Sequence, residues 1–286
     1  MKTGFVAVVG RPNVGKSTLV NALAGGKVAI VSDKPQTTRR RISAVVNGDG
    51  YQLVLVDLPG FQRPLDALTE RMQRTVDTAL EDVDGFLFVL AADERIGAGD
   101  RFIAERVYAT GPPVVVALNK VDRLKPAEIA AQIGEAAALG DFHSLHPVSA
   151  LRAEGTEALE RDLADLLPEG PPHFPEGDVT DLPLEARLAE LVREQALART
   201  REEVPHAITV EVDEIEEGRV RALVYVETES QKGIVVGKNG TVIKAIGSGA
   251  RPEIERLLGR SVYLELQVKV RPKWRRDERE LERLGI

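Results

Sequence analysis

The chain has 286 residues, 43% hydrophobic and 29% charged, with no cysteine and a formal net charge of −7. That length allows one large core and a smaller second one, and the missing cysteines exclude disulfides, thiol nucleophiles and thiolate metal sites. No run of about 18 apolar residues is present to span a bilayer, and Met1 to Phe5 passes into a strand pattern without the apolar core of a secretory signal, so a cytoplasmic protein is expected.

In chain order, the apolar run Phe5 to Val9 leads into Gly10-Arg11-Pro12-Asn13-Val14-Gly15-Lys16-Ser17 and then a helical pattern to about Ala24. This loop fits G-x-x-x-x-G-K-[ST] between a strand and a helix, the context in which backbone N–H groups and a helix N-terminus cradle phosphates. Asn13, Val14, Gly15, Lys16, Ser17 and Thr18 are therefore expected to bind a nucleotide, with Lys16 neutralising its β and γ phosphates and Ser17 holding Mg2+.

Ile42 to Asn47 and Tyr51 to Val56, joined by Gly48-Asp49-Gly50, read as a hairpin adding one antiparallel edge. Asp57-Leu58-Pro59-Gly60 follows, which places Asp57 at a strand end for the metal and Gly60 for a close backbone approach to a γ-phosphate. Alone, the tetrapeptide reads equally well as a strand ending in a turn. Phe86 to Leu90 and Val114 to Leu118 are two more buried runs, separated by helices, as in a largely parallel sheet covered on both faces.

Asn119-Lys120-Val121-Asp122 follows the second of these runs. A carboxylate at Asp122 can accept from both guanine N1–H and the N2 amino group, whereas adenine would leave it unpaired, so GTP is favoured over ATP. Ser149-Ala150 could offer a backbone N–H to guanine O6, although two small residues by default form a plain turn. Together these motifs resemble the small GTPases of the translation-factor class over residues 4 to 151. The resemblance implies that Gln36-Thr37-Thr38-Arg39 is the first switch region, with Thr38 the better match to the Mg2+-binding threonine and Thr37 the fallback. It implies catalytic roles for Lys16, Thr38 and Gly60, and a metal set of Ser17, Thr38 and Asp57. Phe61 stands where many relatives have a water-orienting glutamine. Similar GTPases with an asparagine at the Asn13 position use K+, which implies potassium as a second cofactor.

Residues 1–168 are thus expected to form a three-layer α/β domain with a mixed, mostly parallel sheet, closed by a helix from about Glu154 to Leu167. Residues 169–182, rich in Pro and Gly, read as a linker. From 183 to 286 the order is helix (Leu184 to Thr200), strand (Ala207 to Ile215), strand (Arg219 to Glu227), helix, loop, helix (Thr241 to Leu258) and strand (Val262 to Val270), a smaller α+β domain.

Its loop, Gly237-Lys238-Asn239-Gly240, lets a nucleic-acid backbone approach closely, with Lys238 and Lys244 available to phosphates. From Gln231 onward there are 13 Lys and Arg against 7 Asp and Glu, so this end carries +6 and residues 1–230 carry −13. Lys273, Trp274, Arg275 and Arg276 pair cations with the chain's single Trp, as in a stacking site for single strands; a tail helix packed by Trp274 is the equal alternative. The element order resembles the type II KH domain over roughly residues 182 to 271.

A GTPase domain, a linker and a KH domain in this order resemble a family of bacterial ribosome-assembly GTPases. What that implies is a monomer that binds GTP and GDP, 16S ribosomal RNA near its 3′ end and the small ribosomal subunit, with hydrolysis timing release and with weak peripheral membrane association. The alternative is a GTP-responsive RNA-binding sensor without turnover.

Overall fold

A computed structural model of the chain describes every residue except Pro35, Gln62 and Arg63. The chain divides into two compact units, one made of Met1–Ala29, Thr38–Pro64 and Thr69–Asp181, the other of Ile30–Thr37, Leu65–Leu68 and Leu182–Ile286.

The first unit contains β1 (Lys2–Val9), α1 (Lys16–Leu23), β2 (Ile42–Gly48), β3 (Tyr51–Asp57), α2 (Ala67–Glu81), β4 (Gly85–Ala91), α3 (Ala98–Tyr108), β5 (Val114–Asn119), α4 (Pro126–Ala137), β6 (Ser144–Pro147) and α5 (Thr156–Asp165); its division from the second unit falls within the first turns of α2. The sheet order is β2-β3-β1-β4-β5-β6, parallel except for β2, which pairs antiparallel with β3 as the hairpin reading expects. Every residue of β4 and β5 is buried, because helices cover both faces. Alternate residues feed the two sides of the sheet: Val6, Val8, Leu53 and Leu55 join one core, Ala7, Val9, Val56 and Phe88 the other. Since β1 has β3 on one side and β4 on the other, strand order reverses there, and the loops after β1, β3 and β5 open at one end of the sheet.

The segment read as a linker behaves as a strap on this unit. Val45 donates its N–H to the Val179 carbonyl at 3.0 Å, Ser43 donates from N and Oγ to Asp181 at 2.9 and 2.6 Å, and Gln52 Oε1 accepts from His173 and Phe174 at 2.8 and 2.9 Å. A stretch too rich in Pro for regular structure still satisfies the open edge of β2 through isolated contacts. The compact unit accordingly runs to Asp181, beyond the expected end at residue 168.

The second unit holds α6 (Leu184–Arg199), α7 (Val204–Ala207), β7 (Thr209–Glu216), β8 (Arg219–Val226), α8 (Glu229–Val236), α9 (Thr241–Leu258), β9 (Tyr263–Val270) and α10 (Glu278–Arg283). Its sheet is β7-β8-β9, with β8 antiparallel to β7 and parallel to β9. Ala207, expected in a strand, ends a short helix instead, because Pro205 sits in that helix's first turn and the pairing with β8 starts at Thr209. Leu188 and Val192 of α6 and Ile246, Ala250 and Ile254 of α9 share one core with Val220 and Val224 of β8. This spacing of four puts each helix's apolar stripe on the sheet.

Candidate functional site

The loop after β1 turns into α1 through Gly15, which has φ 98° and caps the helix. A Cβ there would lie 2.3 Å from Nδ2 of Asn119, so glycine is required by the side chain that crosses behind it. Lys16 points back into the loop and donates from Nζ to the carbonyls of Gly10 and Arg11, both at 3.0 Å. Burial lowers its pKa to about 8, against the opposing pull of Asp57. Asn13 is exposed at the loop's crest with φ 65°, while Val14 is buried and Thr18 half-buried just inside the helix.

Three oxygens converge beneath this loop. Ser17 Oγ donates to Asp57 Oδ2 at 2.8 Å, Thr38 Oγ1 donates to the same oxygen at 3.3 Å, and the two hydroxyls lie 3.2 Å apart. Thr37 turns away and donates its hydroxyl to the Lys34 carbonyl at 2.6 Å, so of the two candidate threonines Thr38 joins the cluster. Asp57 is fully buried, and its Oδ1 has no hydrogen-bond partner among the described residues. Burial raises the Asp57 pKa, and Lys16, Ser17 and Thr38 pull it back. An all-oxygen set around an orphaned carboxylate oxygen suits a hard divalent cation such as Mg2+.

At the end of β5, Asn119 ties two loops together. Its Nδ2 donates to the Val14 carbonyl at 3.0 Å and its Oδ1 accepts from the Ala150 N–H at 3.0 Å. Asp122 accepts from Ser149 Oγ at 2.6 Å, which lowers its pKa and keeps it ionised at neutral pH. Lys120 adopts φ 69° and sets Nζ 3.5 Å from Asp93 and 3.7 Å from Glu94. The structure therefore gathers Asn119, Lys120, Asp122, Ser149 and Ala150 into one wall at the ends of β5 and β6.

Sequence reasoning missed the support of that wall. Arg11 pairs with the fully buried Asp100 at 2.7 Å and with Glu94 at 3.0 Å, so Glu94 bridges the phosphate loop and Lys120. No local pattern could reveal a partner 89 residues away. His146 is near Ser144 and Asp162, but both contacts use Nε2, at 3.2 and 2.7 Å, so no nucleophile–base–carboxylate relay exists there.

In the second unit Gly237 has φ 71°, Asn239 53° and Gly240 75°. A Cβ on Gly237 would meet Val242 Cγ2 at 2.5 Å, so the turn requires a bare position. Lys238, Asn239, Lys244, Lys273 and Arg276 are exposed. Trp274 corrects the stacking expectation: it is fully buried and donates from Nε1 to the Ala207 carbonyl at 2.9 Å, so its ring serves the core and offers no face to a base. Arg275 is committed as well, paired with Glu227 at 3.0 Å and Asp66 at 3.7 Å.

Two family models match the chain, "50S ribosome-binding GTPase" over residues 5–120 and "KH domain" over residues 203–275. A curated relative, GTPase Era of Mycobacterium sp. strain JLS, is 46% identical over 100% of this chain and 99% of its own length. A crystal structure of substituted Aquifex aeolicus Era bound to GDP and AlF4− has a TM-score of 0.95 and 41% identity, covering 100% of this chain and 99% of that one. A second, Era with MgGDPNP and nucleotides 1506–1542 of 16S ribosomal RNA, has a TM-score of 0.93 and 40% identity, with the same coverage of 100% and 99%.

Proposed function

We propose, on the premise that the chain belongs to the Era family of GTPases, that it uses GTP hydrolysis to time its grip on 16S ribosomal RNA near the 3′ end during small-subunit assembly. One observation carries the nucleotide half: Ser17, Thr38 and Asp57 meet beside the buried Lys16, with Asn119 and Asp122 at the base end of the same loop. Lys16 would exchange the two loop carbonyls for phosphate oxygens, whose charge favours its protonated form. Asp122 would accept guanine N1–H and the N2 amino group, and the Ala150 backbone would face O6. Thr38 and Gly60 would meet the γ-phosphate and be released when it leaves, an order–disorder switch. Mg2+, held by Ser17, Thr38 and Asp57, would neutralise charge between the β and γ oxygens when bound.

The RNA half rests on the strained Gly237–Gly240 turn with exposed Lys238 and Lys244 at its side. A matching family model names the 50S particle, whereas the RNA in the related complex is a 16S fragment. The 16S fragment bound in that related complex favours the small subunit as partner. The protein is proposed to act as a cytoplasmic monomer. No described helix is long and apolar enough to cross a membrane, and RNA accounts for the exposed Lys273 and Arg276 as well as acidic lipid would.

Phe61 offers no group to orient water, so a K+ ion near Asn13 is proposed to supply part of the missing charge stabilisation. Multiple-turnover phosphate release is expected to run about tenfold or more faster in potassium than in sodium, since a single electrostatic contact to the developing charge can contribute up to about 100- to 1000-fold. Equal rates in the two buffers would remove potassium from the account.

A further inference from the structure

Phe61 directly follows Gly60, and its half-buried ring packs on the core between the sheet and α3. It meets Phe102 of α3 edge-on, with centroids 6.3 Å apart and planes at 85°. That geometry sets the positive ring edge against the negative face. Arg106, one helical turn along α3, places its guanidinium carbon 5.8 Å from each of the two ring centroids. Asp77 of α2 fixes the same guanidinium at 2.6 Å. One cation therefore holds both rings and ties them to the helix that follows the loop.

The neighbouring Gly60 runs close along the phosphate loop: a Cβ on it would lie 3.1 Å from Pro12 Cγ and 3.4 Å from Pro12 N. In this same arrangement Thr38 is turned inward to Ser17 and Asp57. The anchored ring thus accompanies the loop positions that hydrolysis requires. A phenyl ring neither gives nor takes a proton from water, so its influence must pass through the backbone it holds.

We propose that Phe102 and Arg106 are positioning residues for GTP hydrolysis, which pin Phe61 to α3 and through it keep the Gly60 N–H at the phosphate loop. This rests on the assignment of Gly60 to the γ-phosphate. Phe102 is 50% exposed, so its side chain can be removed with little loss of core packing.

The test is steady-state hydrolysis by Phe102→Ala, Phe102→Tyr, Phe61→Ala and the Phe61→Ala, Phe102→Ala pair, alongside GTP affinity and thermal midpoint for each. Phe102→Ala is expected to lower kcat about three- to tenfold, the size of one aromatic pair, with GTP affinity and midpoint retained. Phe102→Tyr keeps the ring and should keep the rate. If Phe102 acts through Phe61, it adds nothing in the Phe61→Ala background. An unchanged kcat in Phe102→Ala, a matching loss of GTP affinity, or the same fold-loss repeated on top of Phe61→Ala overturns the proposal. Full turnover by Phe61→Ala would overturn the anchoring of the loop through this ring and leave the Gly60 assignment standing, whereas slow Phe61→Ala beside normal Phe102→Ala overturns only the role of α3.

Discussion

Asp122→Asn is expected to lower affinity for GTP by about 100-fold or more and to raise affinity for xanthosine triphosphate. The carboxylate is ionised, because Ser149 Oγ donates to it at 2.6 Å and holds its pKa down. Two hydrogen bonds from guanine to that charge contribute about 1.5–3 kcal/mol each, and about 3 kcal/mol already corresponds to a factor above 100. An amide in its place turns N–H groups toward the N1–H and N2 amino donors, which makes the loss larger than that of a missing contact. Xanthine carries an oxygen at position 2 and accepts from the same amide. Asp122 is only partly buried and Ser149 can still donate, more weakly, to an amide oxygen, so the fold should be retained. Competition binding with the two triphosphates, checked by thermal midpoint, measures the exchange. Unchanged preference for GTP would show that the base lies elsewhere.

Trp274→Ala is expected to destabilise the second unit by about 3–5 kcal/mol, the usual cost of deleting a large buried aromatic. The substitution empties a site with no exposure and leaves the Ala207 carbonyl without its 2.9 Å donor. Trp274→Phe keeps most of the ring volume and should cost about 1–2 kcal/mol, chiefly for the lost hydrogen bond. Because the chain has two compact units, denaturation must be followed with a probe local to the second. The single Trp provides one in the parent protein, and amide exchange in β7 and β8 serves for the variants. A base-stacking Trp would give the reverse pattern: RNA affinity falling about 10-fold or more on Trp274→Phe at unchanged stability, from the loss of a stacked base.

These two residues show what was legible in the sequence and what was not. Asp122 was readable because its chemistry is local: Asn119, Lys120 and Asp122 lie within four consecutive residues at a strand end, and the strand pattern fixes where that end is. The same holds for Lys16, Ser17 and Asp57, each placed by a buried run just before it. Trp274 was ambiguous because an aromatic among cations looks the same whether it faces a base or a core; only the carbonyl of Ala207, 67 residues away, decides. Arg275 misled for a similar reason, since Glu227 and Asp66 are remote in sequence. The choice between Thr37 and Thr38 also required coordinates, because adjacent residues in an irregular loop have no periodicity to orient them. The strap over residues 169–181 was hidden because its Pro and Gly content reads as freedom, whereas the unpaired edge of β2 recruits it.

If one nucleotide sets the strength of an RNA grip, the two nucleotide states must hold RNA unequally, because a partner with equal affinity for both would shift nothing. The direct measurement is the affinity of the intact chain for an RNA of the 16S 3′ end, loaded in turn with Mg2+ and a non-hydrolysable GTP analogue and with GDP, at one salt concentration. An affinity ratio of about 5–150 between the two states is expected, the range of ordinary coupling energies, as is its loss when Lys238 and Lys244 are neutralised. Equal affinities, with nucleotide occupancy verified in both samples, would contradict it.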